Sequence, residues 1–144
     1  MKKENLIIMF PDAGSYKWGM KLLDKINWES EIYCASKSRK YENGESKLVQ
    51  VIDKQDFKGK DILLIDDICV YGGTFIGLAK MLKERNVGKL YLAVSHMTIE
   101  APSNELWKCF DKIFTTNSKG IEYVSGLKPF ETTFVKNLEI INLF

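Results

Sequence analysis

A mostly parallel α/β sheet covered by helices on both faces is the fold class this sequence predicts, and three observations predict it. The runs Leu6–Phe10 and Ile62–Ile65 are apolar without alternation, which suits strands buried on both faces. Each is followed by apolar residues at helical spacing: Trp18, Leu22, Leu23 and Ile26 after the first run, and Phe75, Leu78, Ala79 and Leu82 after the second. A turn bearing an acid and glycine separates strand from helix in both cases. Strands alternating with helices imply right-handed crossovers and parallel neighbours.

Taken in order, Leu6–Phe10 opens the sheet, and Pro11-Asp12-Ala13-Gly14-Ser15 forms the loop at its carboxyl end. Tyr16–Ile26 is the first helix and Glu31–Ser36 the second strand. The polar stretch Lys37–Lys47 holds four Lys or Arg, two Glu, two Ser and an Asn43-Gly44 turn signal, and it reads as an exposed, mobile loop. Leu48–Ile52 is a short strand, and Phe57–Lys60 turns the chain into a central strand, Asp61–Ile65. The helix Phe75–Asn86 ends near Gly88, and Lys89–Ser95 is the next strand, closed by His96. Asn104–Cys109 is a short helix, Lys112–Thr115 a strand ending in Thr116-Asn117-Ser118, and Leu138–Leu143 a final edge strand. Neither a repeat nor a low-complexity linker interrupts this order.

The segment Ile62–Thr74 carries the chemistry. Asp66 and Asp67 stand at the carboxyl end of the central strand, where ligands bind in open α/β sheets. Next comes a loop with two glycines, running through Thr74 into a helix whose N-terminus offers N–H donors and about half a unit of positive charge. Acids for sugar hydroxyls therefore precede a cradle for a phosphate. The plainer alternative is a strand end at Asp67 and a helix cap at Thr74. Asp12 likewise admits two roles, a ligand-loop acid or an Asx turn or N-cap before Tyr16.

The chain has 144 residues, 45% of them hydrophobic, the size of one domain with a proper core. A formal net charge of +2, with bases interspersed among acids, lacks the footprint of a nucleic-acid binder. Cys34, Cys69 and Cys109 are scattered and odd in number, which suits reduced thiols and a cytoplasmic setting, with Cys69 in the loop as the one able to react. The five-residue run Leu6–Phe10 is too short for a signal peptide or a membrane span. His96 is the only histidine, so zinc ligation and a second-His catalytic pair are not expected, and it reads as a packed residue. Trp18, Trp107 and the Phe residues read as core or interface.

The run of four apolar residues, Asp66-Asp67 and a loop ending Gly72-Gly73-Thr74 resembles the ribose-phosphate motif of the type I phosphoribosyltransferase family. The resemblance implies that family's fold over residues 1–144, with Asp66 and Asp67 on the ribose hydroxyls and Val70, Tyr71, Gly72, Gly73 and Thr74 around the 5-phosphate. This chain departs from the motif at Val70 and Tyr71, which replace smaller or polar residues.

Three further segments are similar to the carboxyl-terminal half of ribose-phosphate pyrophosphokinases. Pro11-Asp12-Ala13-Gly14 resembles their pyrophosphate loop, with Ser15 in place of a second glycine and Trp18 in place of an Arg. Lys37-Ser38-Arg39 resembles the basic pair of their catalytic flexible loop, and Asp111–Ser118 their late strand, with Ser95-His96 matching a Thr-His. The similarity implies that Asp12, Ala13 and Gly14 contact a pyrophosphate, that Asp12 reaches a Mg2+ ion, and that Lys37 and Arg39 stabilise a transferring group. It further implies a ribose-phosphate or nucleotide ligand, no nucleic acid or membrane partner and a homo-oligomer. The amino-terminal half of such an enzyme is not represented, so a separate chain is the expected source of any second half-site. The competing expectations are a non-catalytic sensor or sequestering protein and a regulatory subunit of a synthetase complex.

Overall fold

The computed structural model describes residues 3–42, 45–97, 104–118 and 137–141, with 3, 37–42, 45–50 and 104 by their backbone. After a 3-10 turn at Lys3–Asn5 come β1 (Leu6–Phe10), α1 (Ala13–Lys25), β2 (Ile32–Cys34), β3 (Ser36–Glu42), β4 (Glu45–Val51) and β5 (Asp61–Cys69). They are followed by α2 (Gly73–Lys83), β6 (Leu90–Met97), α3 (Asn104–Cys109), β7 (Lys112–Thr116) and β8 (Leu138–Ile141). Six strands form one sheet in the order β2-β1-β5-β6-β7-β8, every pairing parallel. The fold is the α/β class that the sequence predicts, with β8 at the edge.

Why β1 sits inside follows from its composition, since all five of its side chains are buried. Ile8 and Phe10 point to one face, where Leu23, Met20 and Trp28 of the α1 side cover them. Ile7 and Met9 join Ile62, Leu64 and Leu92 on the other, under Phe75, Leu78 and Leu82 of α2 and Leu106 of α3. Burying each such side chain stabilises the fold by roughly 1.5–3 kcal/mol. Gly19 lets α1 approach closely, because a Cβ there would lie 2.0 Å from the Phe10 ring.

The two faces diverge at β1 and β5. From β1 the chain crosses by α1 toward β2, and from β5 it crosses by α2, on the opposite face, toward β6. Loops that part in this way leave a crevice at the carboxyl ends of the strands. β5 also outruns its neighbour: its register with β1 ends at Met9–Leu64, whereas its register with β6 continues to Cys69–Met97.

Several expectations are corrected. The stretch expected as a mobile loop is an antiparallel ribbon, with Ser36 opposite Val51 and Glu42 opposite Glu45, and it absorbs the short strand expected at Leu48–Ile52. Its pairing accords with the β-formers Tyr41, Val49 and Val51 and with the turn signal at Asn43-Gly44, two residues outside the described set. β5 does not stop before the acids, because pairing with β6 carries it on through Asp66 and Asp67. α1 begins at Ala13, so Ala13, Gly14 and Ser15 form its first turn rather than a loop. α2 ends at Lys83, short of the expected Asn86, which takes a left-handed φ of 51°. Cys69 is buried in the core, its thiol pushed up to about 12 chiefly by burial, so it is not the reactive cysteine expected; Cys34 is the exposed one.

At the amino end of the sheet, Glu31 before β2 accepts from Lys54 and Lys60, the former at 3.0 Å. Lys54 also donates to Tyr33 Oη at 2.7 Å and lies over the Tyr33 ring, 4.7 Å from its centroid. Hydrogen bonds from Lys60 and then Lys54 hold the Glu31 carboxyl down to about 2. This end is held by its own charges, and among the described residues the crevice lies at the carboxyl end.

Candidate functional site

Asp66 pairs in register with Val94 of β6 and sits half-buried in the extension of β5. Its Oδ1 accepts from the Asp67 N–H at 2.9 Å. Burial, followed by the neighbouring charges of Asp67 and Asp12, pushes the Asp66 carboxyl up to about 6. Asp67 is exposed beside it. Asp67 and Asp12 are near enough to act on Asp66 electrostatically, yet among the described residues no group of three His, Cys, Asp or Glu is placed to hold a metal ion.

Beyond Cys69 the chain turns through Val70 and Tyr71, the latter 79% exposed, to Gly72. Gly72 is the N-cap of α2 with φ +75°, a left-handed conformation that glycine adopts without a Cβ penalty. A Cβ there would also press Leu106 at 3.2 Å. No side chain caps this helix by a hydrogen bond, and the Gly72 carbonyl accepts from Ile76 at 2.9 Å. The alternative role of Thr74 as the helix cap is not met, since Gly72 is the N-cap and Gly73 and Thr74 lie in the first turn. A cavity of about 360 Å³ opens in front of it, lined by Asp66, Ile68 and residues 70–75. One acid and one helix N-terminus thus meet in a single space, an arrangement suited to a phosphorylated polyol.

The other strand-to-helix corner is built differently. Asp12 is the N-cap of α1, and its Oδ1 accepts from the Ser15 N–H at 3.0 Å while its own N–H donates to Ser15 Oγ at 3.2 Å. This reciprocal capping box is the helix-cap role left open for Asp12 by the sequence. Ala13 and Gly14 are exposed in the first turn. Lys37 and Arg39 lie on β3, opposite Gln50 and Leu48. The root of that ribbon is fixed at the same end of the sheet, since the Ala35 N–H donates to the Phe10 carbonyl at 2.8 Å.

A hydroxyl cluster escaped the sequence reading. His96 Nδ1 and Ser118 Oγ lie 2.6 Å apart, and Thr116 Oγ1 donates to the Ser95 carbonyl at 2.6 Å, tying the ends of β6 and β7. The polar run Thr116-Asn117-Ser118 at a strand end was the available signal.

Comparison with known proteins gives a consistent picture. The family described as "Phosphoribosyl transferase domain" matches residues 1–125. A ribose-phosphate pyrophosphokinase of Chlorobaculum tepidum is 31% identical over 94% of this chain and 41% of its own length. One from Aquifex aeolicus is 25% identical over 97% of this chain and 41% of its own length. The chain thus spans about 41% of these curated relatives. Among solved structures, a phosphoribosylpyrophosphate synthetase from Mycobacterium smegmatis superposes with a TM-score of 0.63 at 20% identity, covering 96% of this chain and 41% of its own. An adenine phosphoribosyltransferase from Saccharomyces cerevisiae gives a TM-score of 0.51 at 13% identity, covering 78% of this chain and 66% of its own. These two share the fold.

Proposed function

Because the chain belongs to the phosphoribosyl transferase domain family, we propose that it binds ribose 5-phosphate or phosphoribosyl pyrophosphate and takes part in Mg2+-dependent phosphoribosyl or diphosphoryl transfer. The observation that carries the reading is the α2 N-terminus at Gly72, free of a side-chain cap and sharing its cavity with Asp66. In this reading Asp66 and Asp67 accept hydrogen bonds from the ribose hydroxyls. Backbone N–H groups from Val70, Tyr71, Gly72, Gly73 and Thr74 hold the 5-phosphate, and Ala13 and Gly14 approach a pyrophosphate over the start of α1.

Lys37 and Arg39, carried on a ribbon rooted beside β1, stabilise the charge on the moving group. Such a role is worth about 100 to 1000-fold in rate. The donor set fits Mg2+, which is held by one or two carboxylates together with substrate phosphates rather than by an all-protein cage. Asp66 is the natural protein contact, since a cation there offsets the crowding of Asp67 and Asp12 that raises its pKa after burial. Asp12 is the metal contact that the pyrophosphokinase resemblance implies. When bound, the ion would supply positive charge against the phosphate groups of the substrate.

In this reading a separate chain supplies a further half-site and the chain assembles as a homo-oligomer, the commonest kind of soluble assembly. A second reading, non-catalytic binding of a ribose phosphate or nucleotide, draws on Tyr71, whose ring stands 79% exposed at the loop tip.

Calorimetric titration of ribose 5-phosphate and phosphoribosyl pyrophosphate with and without Mg2+, followed by a transfer assay, tests the proposal. Binding that tightens with Mg2+ and turnover lost in Lys37→Ala are the expected results. Binding without turnover would favour the second reading, and no binding of either compound would refute both.

A further inference from the structure

We infer that the cavity at the α2 N-terminus takes a ribose phosphate whose phosphate carries a second, aromatic substituent, as in a diphosphate-linked nucleoside, and that Tyr71 selects such a ligand by stacking on that ring. The inference rests on the ribose-phosphate reading above and concerns what the phosphate carries besides the sugar. Val70 and Tyr71 are the positions at which this chain departs from the phosphoribosyltransferase motif, so the feature is not one that the motif supplies.

Three apolar side chains share this cavity with the start of α2. Cys69 is buried in the core, so alternation along the end of β5 turns its neighbours Ile68 and Val70 outward, where they are 42% and 38% exposed. Tyr71 follows them at 79%, more exposed than any other large hydrophobic side chain among the described residues. All three line the same space of about 360 Å³. The Tyr71 ring joins none of the ring pairs formed among the described residues, which are Phe10 with Tyr16 and Trp18, and Tyr33 with Phe57. Its backbone is nonetheless well placed, because the left-handed turn at Gly72 lies against Leu106.

A terminal phosphate gains nothing from these walls. Its oxygens are satisfied by N–H donors, and apolar side chains that displace its water give back no hydrogen bond. A phosphate bearing a second substituent brings, in that substituent, the surface that Ile68, Val70 and Tyr71 can cover, and ligand sites join apolar walls of this kind to a few fixed polar groups. Tyr71 suits a flat ring in particular, since a tyrosine presents a large rigid face at the cost of fixing only two side-chain torsions.

Adenosine diphosphate ribose contains ribose 5-phosphate and adds an adenosine through a second phosphate, so calorimetry of both compounds on the whole chain gives one ratio of affinities for each variant. In the unmodified chain the conjugate is expected to bind on the order of tenfold to a hundredfold more tightly, the range that stacking a base on an aromatic side chain supplies. Tyr71→Ala should bring the two affinities to within about twofold of each other, whereas Tyr71→Phe, which keeps the ring and loses the hydroxyl, should retain the preference. Position 71 is exposed, so both variants keep the fold. Equal affinities in the unmodified chain, a preference that survives Tyr71→Ala, or one lost in Tyr71→Phe would overturn the stacking role and leave the ribose-phosphate reading standing. Failure of both compounds to bind would overturn that reading and this inference with it.

Discussion

At the β1–α1 corner Asp12 commits its carboxylate to the backbone of its own helix, whereas at the β5–α2 corner no side chain caps the helix and the nearest acid, Asp66, faces a cavity. Both corners lie at the carboxyl end of the same sheet, and both follow a strand buried in the core. What separates them is one conformational choice. An extended Asp at the N-cap closes the first corner, and a left-handed Gly72 opens the second. An acid in a strand-to-helix turn is therefore no guide to a ligand site until its hydrogen bonds are counted.

Breaking the open corner should have the largest effect. Asp66→Ala removes an acceptor for ribose hydroxyls, and since hydrogen bonds to charged groups contribute about 1.5–3 kcal/mol each, two lost bonds lower affinity for ribose 5-phosphate by at least about a hundredfold. The same titration on Asp66→Asn, paired with urea denaturation, should show weaker binding together with a more stable fold, because the amide escapes the cost of ionising a half-buried carboxyl. Weaker binding accompanied by a loss of stability would mean that Asp66 is a structural residue.

Gly72→Ala comes next. Its Cβ forces a left-handed residue to carry a side chain, at about 1–2 kcal/mol, and Leu106 at 3.2 Å must also give way. Urea midpoints read this directly. The closed corner is the milder target: Asp12→Ala should lower stability by about 1 kcal/mol, and Asp12→Asn, which caps equally well, should recover most of it. No recovery in the Asn variant would show that Asp12 acts by its charge rather than as a cap.

The effects of pH have opposite signs at the two ends of the sheet. Asp66 has a folded pKa raised from 3.8 to about 6, so its protonated form is favoured in the fold. Its contribution to stability is present below its unfolded pKa and lost as pH rises toward 6, while affinity for ribose 5-phosphate grows over the same interval as the carboxylate forms. At pH 5 only about a tenth of Asp66 is ionised, so calorimetry at pH 5 and 7 should differ by up to about tenfold. Glu31 is held down from 4.5 to about 2, so its contribution is present above the unfolded value and lost as pH falls between the two. Its side chain is 37% exposed and solvent screens the pair, so acid denaturation of Glu31→Gln should differ only modestly from that of the unmodified chain.

The parts of the fold legible in the sequence are those in which burial alone dictates residue type. Leu6–Phe10 and Ile62–Ile65 had to be apolar throughout because helices cover both of their faces, and α3 was bounded correctly at Asn104 and Cys109. Of the β3–β4 ribbon only the stretch from Leu48 was legible as strand, since β3 pairs outside the main sheet and its polar residues carry no apolar alternation. Nor was the extension of β5: two carboxylates look like a strand end, and only the continued register with β6 keeps them in the sheet. Of the site, the residue types around Asp66 and Gly72 were readable, but the choice between cap and ligand at Asp12 was not, because it turns on a hydrogen bond to Ser15 that composition does not fix.

Amide NMR of the isotope-labelled chain, titrated with ribose 5-phosphate, sets the two corners against each other in one experiment. The open corner predicts that the largest shifts fall on the backbone N–H groups of residues 72–75, with those of Ala13, Gly14 and Ser15 at the capped α1 start moving little. Shifts concentrated on α1, or none at either helix start, would contradict the assignment of the phosphate to the uncapped N-terminus of α2.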